Sequence, residues 1–371
     1  MNARYEIANP DDILSPGLVV FEEILRENVA RMIEIAGDVG RLRPHCKTHK
    51  MVDITRLEVG MGIVKHKCAT FAEAEMLALG GARDVFLAYN VVGPNVGRAV
   101  RYRQRFPEVR FSVAADHPEP VDALNDAMAR AGERVNVFVD IDTGLRRTGL
   151  PPGPEAHDLY AKIDASSHLT PAGLHVYDGQ NHQSDLGDRQ RAVDRGWDAV
   201  RALRERLEDA SLAVPAIVAG GTGSFPVYAG KDDPALELSP GTCVFHDDRY
   251  TREFPDMAFV AAALVLTRVV SRPSRDLVTF DLGHKACAAD PPAGRRLHFP
   301  AIPDAKEVLQ NEEHLVIETE CASLYRPGDV ELAIPAHICP TSALHSHAWV
   351  VSGGKARERW EVTARDRALT L

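Results

Sequence analysis

The segment Arg43-Pro44-His45-Cys46-Lys47-Thr48-His49-Lys50 sets amines, imidazoles, a thiol and a guanidinium side by side. Lys47 follows a short run of alternating apolar residues from Arg41 to Cys46, so it reads as the last residue of a strand. A lysine there is either a solvated surface cation or an amine held partly out of water. In the second case its pKa falls, and the free amine attacks a carbonyl to form a Schiff base. Arg43, His45, His49 and Lys50 add positive charge, which also disfavours the ammonium form.

Other stretches carry chemistry of their own. Arg146 and Arg147 stand in a turn framed by Gly144 and Gly149. In His175-Val176-Tyr177, strand alternation places His175 and Tyr177 on one face, and His182 lies in the loop beyond, where hydrated and catalytic roles are both open. The turns around Gly221-Thr222-Gly223 and Gly241-Thr242 are glycine-rich. Their backbone N–H groups can approach a phosphate closely, and each threonine adds a hydroxyl donor. No Walker lysine or dinucleotide fingerprint competes. Finally, His337 and Cys339 stand two apart in a segment that reads as extended, so both project to one side. Imidazole and thiolate together suit Zn²⁺, although a lone His-x-Cys also arises without a metal.

These residues need elements to position them. Strand-like runs occur at 42–47, 62–67, 85–89, 110–114, 135–141, 172–177, 216–219 and 236–245. Helical periods fall between most of them, at 71–79, 118–131, 154–165 and 189–207, and Thr70 with Glu73 has the spacing of a capping box. Alternation of this kind, with candidate residues at many strand ends, predicts an α/β fold, a (β/α)8 TIM-type barrel over residues 15–249. From about 250 the pattern becomes short strands between Gly and Pro. A mostly β C-terminal domain is expected over 250–371, joined by residues 1–14 and carrying His337 and Cys339.

Composition narrows the class. With 371 residues, two domains are expected. A net charge of −10 argues against a nucleic-acid surface. No run is long and apolar enough to span a membrane, and no signal core opens the chain. Six scattered cysteines without a Cys-x-x-Cys suggest reduced thiols and a cytoplasmic setting.

Arg43-Pro44-His45-x-Lys47-Thr48-His49-Lys50 resembles the pyridoxal-phosphate (PLP) lysine segment of the D-threonine aldolase and D-serine dehydratase family, fold-type III enzymes related to alanine racemase. The resemblance runs over nearly the whole chain, including Asp281-Leu282-Gly283-His284-Lys285-Ala286. It implies that Lys47 carries PLP, that Arg147 rather than Arg146 faces the cofactor's phenolic oxygen, and that Tyr177 lies beside its ring. It also implies that Gly221, Thr222, Gly223, Gly241 and Thr242 hold the phosphate. His337 and Cys339 would bind a divalent metal, Zn or Mn. Cys339 matches the dehydratase pattern, where aldolases of the family carry aspartate. His182 lies one position before the family's catalytic histidine, so its role is open. The activity implied is cleavage of a D-β-hydroxy amino acid of the D-threonine type to glycine and an aldehyde, in a homodimer. Dehydration to a keto acid and ammonia is the alternative. A non-catalytic PLP-binding regulator is disfavoured by the β-rich segment, which such proteins lack.

Overall fold

The computed structural model describes residues 3–371. The chain opens with β1 (Gly17–Phe21) and α1 (Glu22–Ala36) and then enters an alternating run. That run is α2 (Val52–Gly60), β2 (Lys65–Cys68), α3 (Phe71–Leu79), β3 (Asp84–Asn90), α4 (Asn95–Arg105), β4 (Arg110–Ala115), α5 (Pro118–Ala131) and β5 (Val135–Asp140). It continues through α6 (Pro154–Asp164), β6 (Leu169–Val176), α7 (Leu186–Asp209), β7 (Ile217–Ala219), α8 (Phe225–Ala229) and β8 (Leu236–Leu238). Strands β2 to β8 form one parallel sheet in sequence order.

The expected first strand, 42–47, is not a full strand. Leu42 bridges to Leu238 and His45 to Lys67, both in parallel, so this short segment touches both edges of the sheet and closes it into a barrel. The N–H groups of Arg43 and His45 donate to the carbonyls of Leu238 and Pro240, each at 2.8 Å, and Pro44 O accepts from the N–H of Lys67 at 2.8 Å. Pro44 has no N–H to offer, which limits the ladder to bridges. Beyond it, Cys46–Thr48 coil into a 3-10 turn. The expected strand 236–245 stops at Leu238 for a similar reason: Ser239-Pro240-Gly241 breaks it, and Thr242–Val244 form another 3-10 turn.

Local chemistry fixes the helices. Thr70 caps α3 by accepting the Glu73 N–H at 3.1 Å, while the Glu73 carboxylate accepts from the N–H of Ala69 at 2.6 Å, one residue earlier than an ordinary capping box. Pro118 begins α5, and Gly132 ends it with φ 66°, a left-handed position suited to glycine. Inside the barrel, Phe86, Ala114, Phe138, Ala172 and Val218 form an apolar layer.

Arg43 ties the barrel closure electrostatically. Its guanidinium, 3% exposed, grips both oxygens of Asp84 at 2.7 and 3.0 Å and also binds Glu237, which Lys65 reaches as well. Asp84 begins β3 and Lys65 begins β2, so this network lies at the N-terminal end of the strands, away from the end where barrel chemistry is done. Arg43 therefore does not charge the neighbourhood of Lys47, as its place in the sequence suggests.

A second compact unit follows: α9 (Asp248–Glu253), β9 (Ala263–Ser271), β10 (Leu277–Phe280), β11 (Leu297–His298), β12 (Lys306–Gln310), β13 (Leu315–Glu318), β14 (Val330–Pro335), α10 (Ile338–Leu344), β15 (His347–Ser352) and β16 (Lys355–Glu361). Its sheet runs β12-β13-β10-β9-β1-β15-β16, with β14 pairing β9 and β11. β1 is an interior strand of it, antiparallel to β9 and parallel to β15, and buried along its whole length. That pairing corrects the boundary at residue 15: the chain up to Arg31, Thr48–Met51 and Thr242–Arg365 form the β-rich unit, while Met32–Lys47, Val52–Gly241 and Asp366–Leu371 form the barrel unit.

Removing one partner of a buried ion network leaves uncompensated charge. Arg43→Ala should cost the barrel about 3–5 kcal/mol, seen as a lower denaturant midpoint. Glu237 is raised by burial but lowered overall by Arg43 and Lys65. A lowered carboxyl stabilises above its unfolded pKa and loses that stabilisation as pH falls through its folded value. Barrel stability should thus fall on acidification below the ordinary glutamate range, and Glu237→Gln should flatten that fall.

Candidate active site

At the C-terminal ends of the strands lies a cavity of about 550 Å³, lined by His45, Lys47, Lys67, Asp140, Arg147, His175 and Tyr177 among others. Lys47 sits in the 3-10 turn after the closing segment, with its backbone N–H donating to His45 Nδ1 at 3.2 Å. Tyr177 is the hub. Lys47 Nζ and Lys67 Nζ each lie 5.7 Å from its ring centroid, and the Arg147 guanidinium lies 4.7 Å away. The ring is admitted by two glycines. A Cβ on Gly179 would come within 2.6 Å of Tyr177 Oη, and one on Gly221 within 3.0 Å of its Cε2.

The arginine turn is shaped by its own backbone. Asp142 Oδ1 accepts from the N–H groups of Gly144 and Arg146, at 2.8 and 3.1 Å. Gly149 adopts φ 95°, where a Cβ would strike the Asp142 N–H at 2.9 Å. Arg147 lines the cavity; Arg146 does not.

Behind these residues stand three buried titratable groups. His175 Nδ1 lies 2.7 Å from Asp140 Oδ1, and its Nε2 lies 3.4 Å from Lys67 Nζ. Burial lowers the His175 pKa, with Asp140 opposing it, so the imidazole stays neutral and donates from Nδ1 to the carboxylate. Burial tends to raise Asp140, but His175 and Thr148 bring it down overall. Lys67 is pushed down to about 7, first by burial and next by the charge of Lys47.

The turn after β7 brings Gly221, Thr222 and Gly223 into the same unit. Gly221 N–H donates to Ser224 Oγ at 3.1 Å, and Gly241 N–H donates to Thr222 Oγ1 at 3.3 Å. Ser224 in turn donates to Asp178 at 2.7 Å. A cavity of this size with an amine, a guanidinium and a ring whose flanks only glycines permit fits a planar, anionic ligand such as PLP.

The β-rich unit holds the other candidate pair. The segment expected to be extended is instead a helix start: His337 is the N-cap of α10, and Cys339 lies in its first turn. His337 keeps an extended backbone, φ −138° and ψ 97°, and its ring still meets the Cys339 thiol. Its Nδ1 lies 2.6 Å from Asp290 Oδ2. Burial lowers its pKa, but Cys339 and Asp290 outweigh that and raise it to about 9. Cys339 Sγ lies 3.2 Å from the Thr48 hydroxyl and 3.6 Å from that of Thr242, which therefore faces sulfur in this unit. A carboxylate on Nδ1 leaves Nε2 for a cation, as outer partners of metal-bound histidines do, so the donor set fits a metal.

His182 is exposed and does not line the cavity. His345 is half-buried and bonds the Ala286 carbonyl at 2.8 Å. Glu312 and Glu313 both bind Lys285 at the surface. Sequence reasoning missed Lys67 and Asp290. The available signal for Lys67 was a lysine inside a barrel strand, at the C-terminal end of the run 62–67.

A closed parallel barrel with a lysine at its C-terminal rim, followed by a β-rich unit, defines a class of PLP enzymes. Residues 22–248 match the family described as alanine racemase, N-terminal domain, and residues 262–351 match a putative serine dehydratase domain. The chain belongs to the fold-type III PLP family that unites alanine racemase with the D-threonine aldolase and D-serine dehydratase-like enzymes. It is 28% identical over 367 residues to a 3-hydroxy-D-aspartate aldolase of Paracoccus denitrificans, covering 96% of this chain and 93% of that protein. It is also 28% identical over 330 residues to a D-threonine aldolase of an Arthrobacter species, covering 87% and 85%. The solved D-threonine aldolase of Filomicrobium marinum superposes with a TM-score of 0.88 at 30% identity, over 95% of this chain and 96% of that one.

Lys47 and Lys67 flank one ring at equal distance, so labelling separates them. Borohydride reduction of PLP-loaded protein should fix the label on Lys47, read by peptide mass spectrometry. A label on Lys67 would exchange the two roles.

Proposed function

We propose that the chain is a PLP- and divalent-metal-dependent lyase that cleaves D-β-hydroxy amino acids of the D-threonine type to glycine and an aldehyde. The observation that carries this reading is the cavity uniting Lys47, Arg147 and Tyr177 at the barrel's C-terminal rim, in a chain whose β-rich unit holds the His337–Cys339 pair. Aldolase relatives spanning nearly the whole chain support it.

PLP, when bound, supplies an electron sink for bonds breaking at Cα. Lys47 would hold it through Nζ, Arg147 would meet its phenolic oxygen, and Tyr177 would lie against its ring. The turns at 221–223 and 241–242 would receive its phosphate, with Thr222 offering a hydroxyl. His337 and Cys339 would hold a Zn or Mn ion that lowers the pKa of the substrate's β-hydroxyl. Asp290 would keep the His337 proton on Nδ1. The reading includes a homodimer, to be checked by light scattering.

Cys339 and the serine dehydratase match keep a second outcome in play, in which water is lost and a keto acid and ammonia form. Both outcomes use the same groups, and the bond that breaks is the one held perpendicular to the cofactor plane. Incubation with D-threonine and D-serine separates them. Equal glycine and acetaldehyde from D-threonine is the expected result; pyruvate and ammonia from D-serine, with no glycine from D-threonine, would assign the dehydratase.

Metal removal gives an independent check. A chelator should abolish turnover while the visible PLP band remains, because the metal's task is to activate a hydroxyl. Full activity with metal verified absent would remove the metal from the mechanism.

A further inference from the structure

We propose that Lys67 is a second catalytic amine of this cavity, an acid–base group aimed by Asp140 through His175, whose Nζ takes a proton from the bound amino acid and returns one to it. The proposal rests on the lyase reading above.

Lys67 leaves the end of β2 and lines the cavity while its side chain is 2% exposed. A buried lysine that serves only structure is paired with a carboxylate. Among the described residues, the polar partner of Lys67 Nζ is instead His175 Nε2, at 3.4 Å. Asp140 holds the Nδ1 proton of that imidazole at 2.7 Å, so Nε2 is an acceptor and orients one Nζ–H. The rest of the amine is left to the cavity. Phe86 packs against the imidazole in a T-shaped arrangement, ring centroids 5.1 Å apart. The order carboxylate, imidazole, working group is that of a catalytic triad, with an amine in the working position.

The charges facing Lys67 are Lys47 and Arg147, which disfavour its ammonium, and Asp140 and Asp178, which favour it. Tyr177 presents its ring and His175 its neutral imidazole. With burial added, the balance brings the amine to about 7, where it both accepts and gives up a proton at neutral pH. Pocket lysines perturbed in this way, by burial plus named charges, belong to working sites more than to scaffolds.

The proton count closes without a co-reactant. In retro-aldol cleavage the β-hydroxyl O–H breaks, its electrons form the aldehyde C=O, and the Cα–Cβ pair is left on Cα. Glycine then gains one Cα–H. Lys67 Nζ takes the first proton and supplies the second.

The test begins with PLP-free protein, so it does not depend on which products form. NMR of isotope-labelled lysine Cε, with Lys67 assigned by its absence in Lys67→Met, should show a midpoint near pH 7. Lys47→Ala should raise that midpoint and Asp140→Asn should lower it, because the two charges act in opposite directions. In the PLP- and metal-loaded enzyme, Lys67→Met should keep the visible band and the borohydride label on Lys47 yet lose about a hundredfold or more in kcat. A midpoint near 10, the ordinary lysine value, would overturn the proposal. So would a kcat within about threefold of the parent, as general acid–base groups are worth more than that. If the products prove to be pyruvate and ammonia, the aldolase reading changes to dehydratase while the midpoint and its two shifts still decide the role of Lys67.

Discussion

The barrel depends on one short, poorly laddered segment. Residues 42–45 touch both edges of the seven-stranded sheet through single bridges, with Pro44 unable to donate. Few backbone bonds hold so important a seam, and side-chain charge takes over. Arg43 reaches Glu237 on the neighbouring β8 and, past its other neighbour β2, Asp84 at the start of β3, and Lys65 of β2 adds a second cation to Glu237. A bidentate guanidinium is suited to this, since its planar fork fixes direction as well as distance. The seam then leads directly into the turn that presents Lys47. Position of the amine is thus set by an ion network at the opposite end of the strands.

The cavity reverses the charge of the chain around it. The protein carries a net charge of −10, yet Lys47, Lys67 and Arg147 converge around one tyrosine ring. Like charges gathered this closely are costly in a site of low dielectric unless an anion joins them or one cation gives up its proton. Both remedies are at hand. Lys67 is driven toward its neutral form, and a ligand bearing phosphate and phenolate would meet what remains. Tyr177 helps by offering a ring face to the cations, and Gly179 and Gly221 are the condition for its presence.

Much of this was legible in the sequence because it depends on local order. Strand–helix alternation gave the barrel, and the framing glycines singled out the arginine turn. Lys47, Arg147 and Tyr177 do line one cavity. What failed was what depends on distant pairing. Residues 17–21 fall within the bounds expected for the barrel, yet the partners of β1, β9 and β15, lie more than two hundred residues away. Arg43 reads as a charge beside Lys47 because they are four residues apart, though its partners are Asp84 and Glu237. Lys67 carries no motif of its own: its environment comes from β5 and β6, and only folding brings Asp140 and His175 to it.

At the His337–Cys339 pair the backbone differs from the extended segment expected, while the two side chains still meet. An extended chain puts alternate side chains on one side, and so, at its very start, does a helix whose N-cap is still extended. His337 is that N-cap, so its side chain leaves from β-region backbone while Cys339 belongs to the first turn. The surroundings then differentiate the two donors. Asp290 accepts the hydrogen bond from Nδ1, so Nε2 is the nitrogen that would face a cation once its own proton leaves. A thiolate can only accept, so the hydroxyls of Thr48 and Thr242 become donors to sulfur once Cys339 ionises. Hydroxyl donation to sulfur would spread its charge and weaken its hold on the proposed cation, leaving that ion more acidic toward an oxygen that joined its shell. As a ligand of the proposed metal, a cysteine with two such donors would behave more like the carboxylate of the aldolase pattern, so the ligand type alone would not decide which substrate bond is cleaved.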